Sequence, residues 1–150
     1  IEVLVRNYFA GSLSKKFGIK EGTPLADTLI EYCLKSDELG DPHISSEHIL
    51  NIGLCSFDDL ELIDEYSLRI NDILRGIFYS IGINLIDFKL EFGICKKTKE
   101  VILADEISPD TCRLWDLKTN KKLDKDRFRR DLGDVEGAYQ EVLERLNIKS

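Results

Sequence analysis

The chain has little proline and glycine, three Pro and ten Gly in 150 residues, which excludes collagen-like and low-complexity architectures. No apolar run approaches the roughly 18 residues of a membrane-spanning helix. The opening residues carry neither a basic n-region nor a small-residue cleavage site. A soluble, unexported, cytoplasmic protein is the expectation. Zinc chemistry lacks its letters as well. Cys33, Cys55, Cys95 and Cys112 form no C-x-x-C pair, and His43 and His48 are five apart, whereas ligands on one helix face need a spacing of three or four. The cysteines read as reduced thiols. Positive charge is short too: 21 Lys and Arg against 28 Asp and Glu give a net charge of -7. That field repels nucleic acid and anionic membrane, so any anionic ligand must be met locally.

What is present is a globular composition, 43% hydrophobic and 33% charged, in a length that buries roughly 70% of the unfolded chain's surface. The chain opens inside an alternating run, Ile1 to Arg6, which predicts a strand whose earlier partners lie outside this sequence and whose edge is unpaired. Ser12 is placed to cap a short helix, Leu13 to Phe17, stopped by Gly18. Leu29 to Lys35 alternates, with Ile30, Tyr32 and Leu34 on one face and Glu31, Cys33 and Lys35 on the other. A loop follows from Ser36 to Pro42, then a short helix from Ser45 or Ser46 through Leu50. Ser56 with Asp59 three residues on resembles a capping box, and apolar residues from Phe57 to Ile81 recur every three or four positions. They predict one long helix, Phe57 to Ser80. Ile107 to Lys122 has no period and reads as loop; Asp134 to Leu146 reads as a closing amphipathic helix.

Asn84 to Cys95 alternates most cleanly, with Ile86, Phe88, Leu90, Phe92 and Ile94 on one face and Asp87, Lys89, Glu91 and Gly93 on the other. The polar turn Lys96 to Lys99 leads into Val101 to Glu106, so the two runs predict a hairpin. Pairing Cys95 with Val101 sets Glu91 opposite Asp105, with Cβ atoms about 5 Å apart. Two such carboxylates need a shared proton or a cation. Oxygen-only ligands suit Mg²⁺, which takes one or two carboxylates and completes its shell with phosphate and water. The plain alternative is a surface hairpin neutralised by Lys89.

Arg113 to Arg130 holds eight basic residues, Arg113, Lys118, Lys121, Lys122, Lys125, Arg127, Arg129 and Arg130, against Asp116, Asp124 and Asp126. The local charge of +5 leaves -12 for the rest. Such an island suits a compact anion such as phosphate, for which Arg offers a bidentate fork, unless it is simply a solvated face. With the acid pair, it supplies the ingredients of metal-assisted phosphoryl chemistry. Ser12-Leu13-Ser14-Lys15 matches S-x-x-K, but the companion β-lactamase signatures are missing.

Longer motifs are more specific. Val5-Arg6-Asn7 with Ala10-Gly11-Ser12-Leu13, Gly40-Asp41-Pro42, Asp87 to Gly93, Ala104 to Asp110, Arg113-Leu114-Trp115-Asp116 and Leu123 to Arg129 resemble, in order and over essentially the whole chain, the SAICAR synthetase family. The resemblance implies an α+β fold, the C-terminal part of a two-lobed, kinase-like SAICAR-synthetase architecture with packed helices and a β-hairpin at the site. The family's N-terminal nucleotide lobe, with its glycine-bearing loop and lysine over the ATP phosphates, has no counterpart here. The whole of residues 1–150 reads as one metal- and substrate-binding unit.

The implied activity is ATP-dependent ligation of L-aspartate to carboxyaminoimidazole ribonucleotide in purine biosynthesis, through an acyl phosphate. The resemblance further implies that Glu91 and Asp105 hold Mg²⁺ on the nucleotide phosphates beside Lys89, these three forming the catalytic and cofactor-binding set. It implies that Arg6, Ser12 and Arg113 bind the ribonucleotide phosphate, that Lys35, Asp87 and Asp110 line the substrate pocket, and that Arg129 is a further anion contact. Partners are the two substrates and a missing lobe or a second copy, with no nucleic acid and no membrane. Two rival classes are weighed. Another two-lobed phosphotransfer enzyme would need H-R-D or D-F-G, and neither is present. A non-catalytic phosphate-binding fragment would keep the pocket without turnover.

Overall fold

Alternation along the first strand places Val3 and Val5 fully inside one face of a sheet and Glu2, Leu4 and Arg6 on the other. The computed structural model describes residues 1–147. In it β1 (Glu2–Tyr8) pairs antiparallel with β2 (Pro24–Cys33) along one edge and with β4 (Ile83–Ile94) along the other. β1 is therefore a central strand, and the expectation of an unpaired edge at Ile1 to Arg6 is corrected. The sheet runs β3 (His43–Ile44), β2, β1, β4, β5 (Val101–Leu103), and β6 (Cys112–Asp116) also pairs with β4. The outer edge of β4 is thus shared: residues 83–88 bond β6 and residues 92–94 bond β5.

α1 (Gly11–Phe17) and α2 (Ser46–Ile52) are short, and α3 (Phe57–Ser80) lies across the sheet, followed by α4 (Asp126–Arg129) and α5 (Val135–Arg145). α3 and α5 cover the Val3 face. The Ser56 hydroxyl accepts the Asp59 N–H at 3.1 Å, satisfying one of the donors that open α3. Ile63 and Phe78 of α3, Ala138 and Val142 of α5, and Val3, Val5, Leu85, Phe88, Leu90 and Phe92 share one apolar core. Ser12 does not cap α1, because the chain enters helix two residues earlier: Ala10 is the extended cap residue, Gly11 the first helical one, and Gly18 closes the end at φ 64°.

Two departures from the simple alternation matter. Between Leu85 and Asp87, β4 bulges against β6, advancing two residues for one on its partner. The bulge turns Ile86 out of the main core into a small cluster with Ala10 and Trp115, whereas Leu85 and Phe88 stay in the main one. The uniform face expected for Ile86 through Ile94 is therefore broken at its first member. Secondly, β6 occupies part of the segment expected to be loop. Cys112, Leu114, Trp115 and Asp116 are all buried, so burial on both faces erased the period of two.

Among the described residues, no helix is long and apolar enough to cross a membrane, and all four cysteines are free thiols.

One polar cluster sits inside the core. Asn7 and Asn71 exchange side-chain hydrogen bonds at 2.8 and 3.0 Å, tying β1 to α3, and Thr28 of β2 bonds both at 3.3 Å. Asn71 is fully buried. Replacing it removes the two shortest bonds of the buried Asn7 amide and leaves it only 3.3 Å contacts to Thr28 and the Leu85 carbonyl, so Asn71→Leu is expected to cost about 1–3 kcal/mol in urea-unfolding experiments. Exposed Ile73→Ser, two residues on, should stay within about 0.5 kcal/mol.

Candidate functional site

The sheet face opposite α3 and α5 collects charge by register. Arg6 of β1 lies directly across from Asp87 of β4, and Asp87 lies across from Arg113 of β6. One carboxylate is thereby set between two guanidiniums on adjacent strands. Asp87 Oδ2 accepts from Arg113 Nη1 at 3.1 Å and from Arg6 Nη1 at 3.4 Å, and Oδ1 accepts from Arg113 Nη1 at 3.2 Å. Burial pushes the Asp87 carboxyl above the usual range, against the opposing pull of Arg113 and Arg6. Arg113 keeps its charge although it is desolvated, because Asp87 and Asp126 both face it.

Further acids and a hydroxyl complete the row. Glu31 of β2 binds Arg6 Nε, and the Ser12 hydroxyl lies 3.3 Å from Arg6 Nη2. Asp126, at the start of α4, accepts from Arg113 Nε at 2.8 Å and Arg129 Nη1 at 2.7 Å. Asp124 lies fully buried beneath them. Its two oxygens accept the backbone N–H groups of Leu114 and Asp126, each at 2.7 Å, which fastens β6 to α4. Burial pushes its pKa up to about 6, partly offset by those two bonds.

Gly11 is required here. At φ 54°, a Cβ on it would stand 2.5 Å from Arg113 Nη2, so only glycine lets α1 lie against that guanidinium.

Arg6, Ser12, Asp87, Arg113 and Arg129 border a cavity of about 360 Å³. Of the residues nominated from the sequence, Arg6, Ser12, Asp87, Lys89, Asp110, Arg113 and Arg129 meet there. Thr111 and Lys125 join them without having been singled out for the site. Asp110 also accepts from the Tyr139 hydroxyl at 2.5 Å. Five cations against two acids make this cavity a place for an anion.

The basic island is divided: Lys118 and Lys121 are exposed to solvent, and the arginines are tied down. Arg113, Arg129 and Arg130 converge on Asp126. Arg127 donates to the carbonyls of Lys122, Leu132 and Gly133, and Lys122 sits 3.5 Å over the Trp115 ring. Glu31, Asp126 and Gly11 are site residues that the sequence does not single out, because each acts only through an arginine brought to it from another element.

Lys35, Glu91 and Asp105 are not among the lining residues. They lie toward the hairpin end of the same face. There the expected register is corrected by one residue: Ile94 pairs with Val101, Gly93 with Ile102 and Phe92 with Leu103. Cys95 faces Glu100 across a turn with Lys99 at φ 61°, and the Ala104 N–H donates to the Glu91 carbonyl at 2.8 Å. Asp105 therefore stands one step beyond the residue opposite Glu91, where the chain has left the strand. The turn sets this register, and alternation alone does not. Lys35 Nζ is 2.9 Å from Glu91 Oε2, whereas Lys89 reaches Glu2 at 3.6 Å. The neutralising lysine of Glu91 is thus Lys35. Among the described residues no three His, Cys, Asp or Glu side chains gather as a metal site.

Comparison with known proteins gives a consistent picture. The family model described as SAICAR synthetase matches residues 1–146. Phosphoribosylaminoimidazole-succinocarboxamide synthase of Rhodospirillum centenum is 59% identical over 150 residues, covering 99% of this chain and 59% of its own length. The enzyme of the same name from Sphingopyxis alaskensis is likewise 59% identical, with 58% of its length covered. The chain thus spans about three-fifths of the curated relatives it matches. The crystal structure of the synthase from Ehrlichia chaffeensis superposes with a TM-score of 0.96 at 50% identity, over 99% of this chain and 64% of that one. A SAICAR synthetase in complex with ADP gives 0.91 at 49% identity, over 97% and 61%. The mixed α+β architecture is that of these structures.

The buried Asp124 has a pH signature. Its folded pKa of about 6 lies above the unfolded value near 3.9, so the stability it contributes is present below pH 4 and is lost as pH rises through 6. Between pH 4 and 7, wild type is expected to lose up to roughly 3 kcal/mol relative to Asp124→Asn, read from urea midpoints across that range.

Proposed function

The chain belongs to the SAICAR synthetase family, and from that premise we propose that it forms the metal- and substrate-binding part of a cytoplasmic, ATP-dependent ligase. In this reading the enzyme joins L-aspartate to the carboxylate of carboxyaminoimidazole ribonucleotide in purine biosynthesis. One observation carries it: Arg6, Ser12, Arg113 and Arg129 border a single cavity, and guanidinium forks with a hydroxyl suit a phosphate monoester. The ADP held by a relative 49% identical to this chain supports a nucleotide substrate. The curated relatives are longer than this chain, and contacts to adenine are assigned to their remaining length.

Lys89, Glu91 and Asp105 are assigned to the nucleotide phosphates. The acids fit a cation. Glu91 bonds the Lys35 ammonium and, with smaller contributions from Glu2 and Asp105, raises its pKa, so a positive charge already answers the carboxylates' combined field. Lys35 is 61% exposed and free to withdraw. Glu91 and Asp105 would hold Mg²⁺, which when bound offsets phosphate charge.

The residues of this chain supply binding and orientation. Arg6, Ser12 and Arg113 anchor the ribonucleotide phosphate, Asp87 keeps the two guanidiniums in place, and Asp110 and Lys35 line the approach to the carboxylate end. A carboxylate is a poor acyl donor. Transfer of the γ-phosphoryl group to its oxygen releases ADP and gives an acyl phosphate; the aspartate amine then attacks the acyl carbon, phosphate leaves, and the amine gives up a proton. Lys89 and the arginines reduce the repulsion between two anions brought together.

Two results test this. In the full-length enzyme, Glu91→Gln and Asp105→Asn should each abolish Mg²⁺-dependent ADP release while changing stability by less than about 1 kcal/mol, since Glu91 gives up one ion pair to an exposed lysine and Asp105 only a local bond to the Glu106 N–H. Near wild-type turnover at saturating Mg²⁺ in either variant would remove the metal assignment. Arg113→Ala should raise the KM for the ribonucleotide and leave Mg²⁺ dependence unchanged. The 150-residue chain alone is expected to bind the ribonucleotide without turning over, and aspartate-dependent ADP formation by it would contradict the division of labour.

A further inference from the structure

The cavity's arginines are held by an acid to which the function above gives no role. Asp126 has a side chain only 2% exposed, and each of its oxygens takes a different guanidinium: Oδ2 accepts from Arg113 Nε at 2.8 Å and Oδ1 from Arg129 Nη1 at 2.7 Å. Arg130 comes only to 3.6 Å, because Glu21 takes it at 2.8 and 2.5 Å. The two firm partners of Asp126 are therefore the two arginines that border the 360 Å³ cavity, and Arg130 does not border it. The oxygen-to-oxygen span of a carboxylate is rigid, so the two cations are fixed relative to one another.

The carboxylate is itself anchored. The Asp126 N–H donates to Asp124 Oδ1 at 2.7 Å, and Asp124 Oδ2 accepts from the N–H of Leu114, the neighbour of Arg113. Arg113 then spends Nε on Asp126 and Nη1 on Asp87, which leaves Nη2 without a protein acceptor among the described residues. Nη2 is the nitrogen that lies against Gly11.

We propose that Asp126 is a positioning residue for phosphate: it locks the spacing and direction of Arg113 and Arg129 so that their unused N–H groups meet one phosphate monoester. The proposal rests on reading the cavity as a phosphate site. It runs against simple charge counting. An acid that merely neutralised arginine charge would weaken phosphate binding, and removing it would tighten binding. An acid that aims the arginines does the opposite, since displacement by about 1 Å is enough to cost binding geometry.

The sign decides. Calorimetric titration of the full-length enzyme with inorganic phosphate and with ribose 5-phosphate should show binding by wild type, weakened at least about tenfold in Asp126→Asn. Asp126→Glu keeps the charge but moves it by one methylene, about 1.5 Å, and should weaken binding at least about fivefold. Unchanged or tighter binding by Asp126→Asn, or Asp126→Glu within twofold of wild type, overturns the proposal alone. Absence of phosphate binding by wild type overturns it together with the phosphate reading. If Asp126→Asn fails to fold, Asp126→Glu decides, because a merely structural Asp126 would lower the melting temperature and leave the affinity of the folded protein unaltered.

Discussion

A carboxylate buried between two arginines is the constraint around which this protein is arranged. Ionised Asp87 cannot sit in the interior unpaired, and removing either partner of such a cluster leaves a charge without water or counterion. The pairing demands that β1, β4 and β6 lie side by side with Arg6, Asp87 and Arg113 in one row. Those three strands cannot be separated without exposing the ions to each other's absence. The core on the other face, built on Val3, Val5, Phe88 and Leu90, provides the burial that stabilises the sheet. The ion row determines which strands must be neighbours.

The row also extends outward by alternating sign. Glu31 binds Arg6, Asp87 bridges Arg6 and Arg113, Asp126 bridges Arg113 and Arg129, and Glu21 takes Arg130. Each arginine at the site has an acid behind it, so these positive charges face the cavity from fixed directions. Preorganisation of this kind spares the ligand the cost of ordering long side chains. An acidic protein can present a local anion site in this way, with its surplus of negative charge standing behind the arginines.

Much of this was legible in the letters, for identifiable reasons. The helix from Phe57 to Ser80 follows from a continuous 3.6-residue stripe with a serine cap, and its bounds agree with the observed ones. The charged face of β4 follows from strict alternation beyond Asp87. Where alternation failed, the cause was local. The bulge at Ile86 inserts a residue that no composition rule marks, and β6 is buried on both faces. The hairpin register depends on a turn whose Lys99 adopts positive φ. Among site residues, the arginines announced themselves by type and motif. Their supports did not, because the role of Asp126 or Gly11 exists only through a side chain brought to it from another strand.

The bulge in β4 has a consequence for how this chain can vary. Side chains along a strand alternate, so parity beyond Ile86 decides whether Asp87, Lys89 and Glu91 face the cavity or α3. Losing or gaining one residue between Leu85 and Glu91 would exchange the two sets, driving three charges into the apolar layer and presenting Phe88 and Leu90 to the ligand. A change of length in the Lys96 to Lys99 turn would leave the facing of β4 intact and shift only the register of β5 against it. Within β4, lineages of this sequence can drift in residue identity but not in residue number.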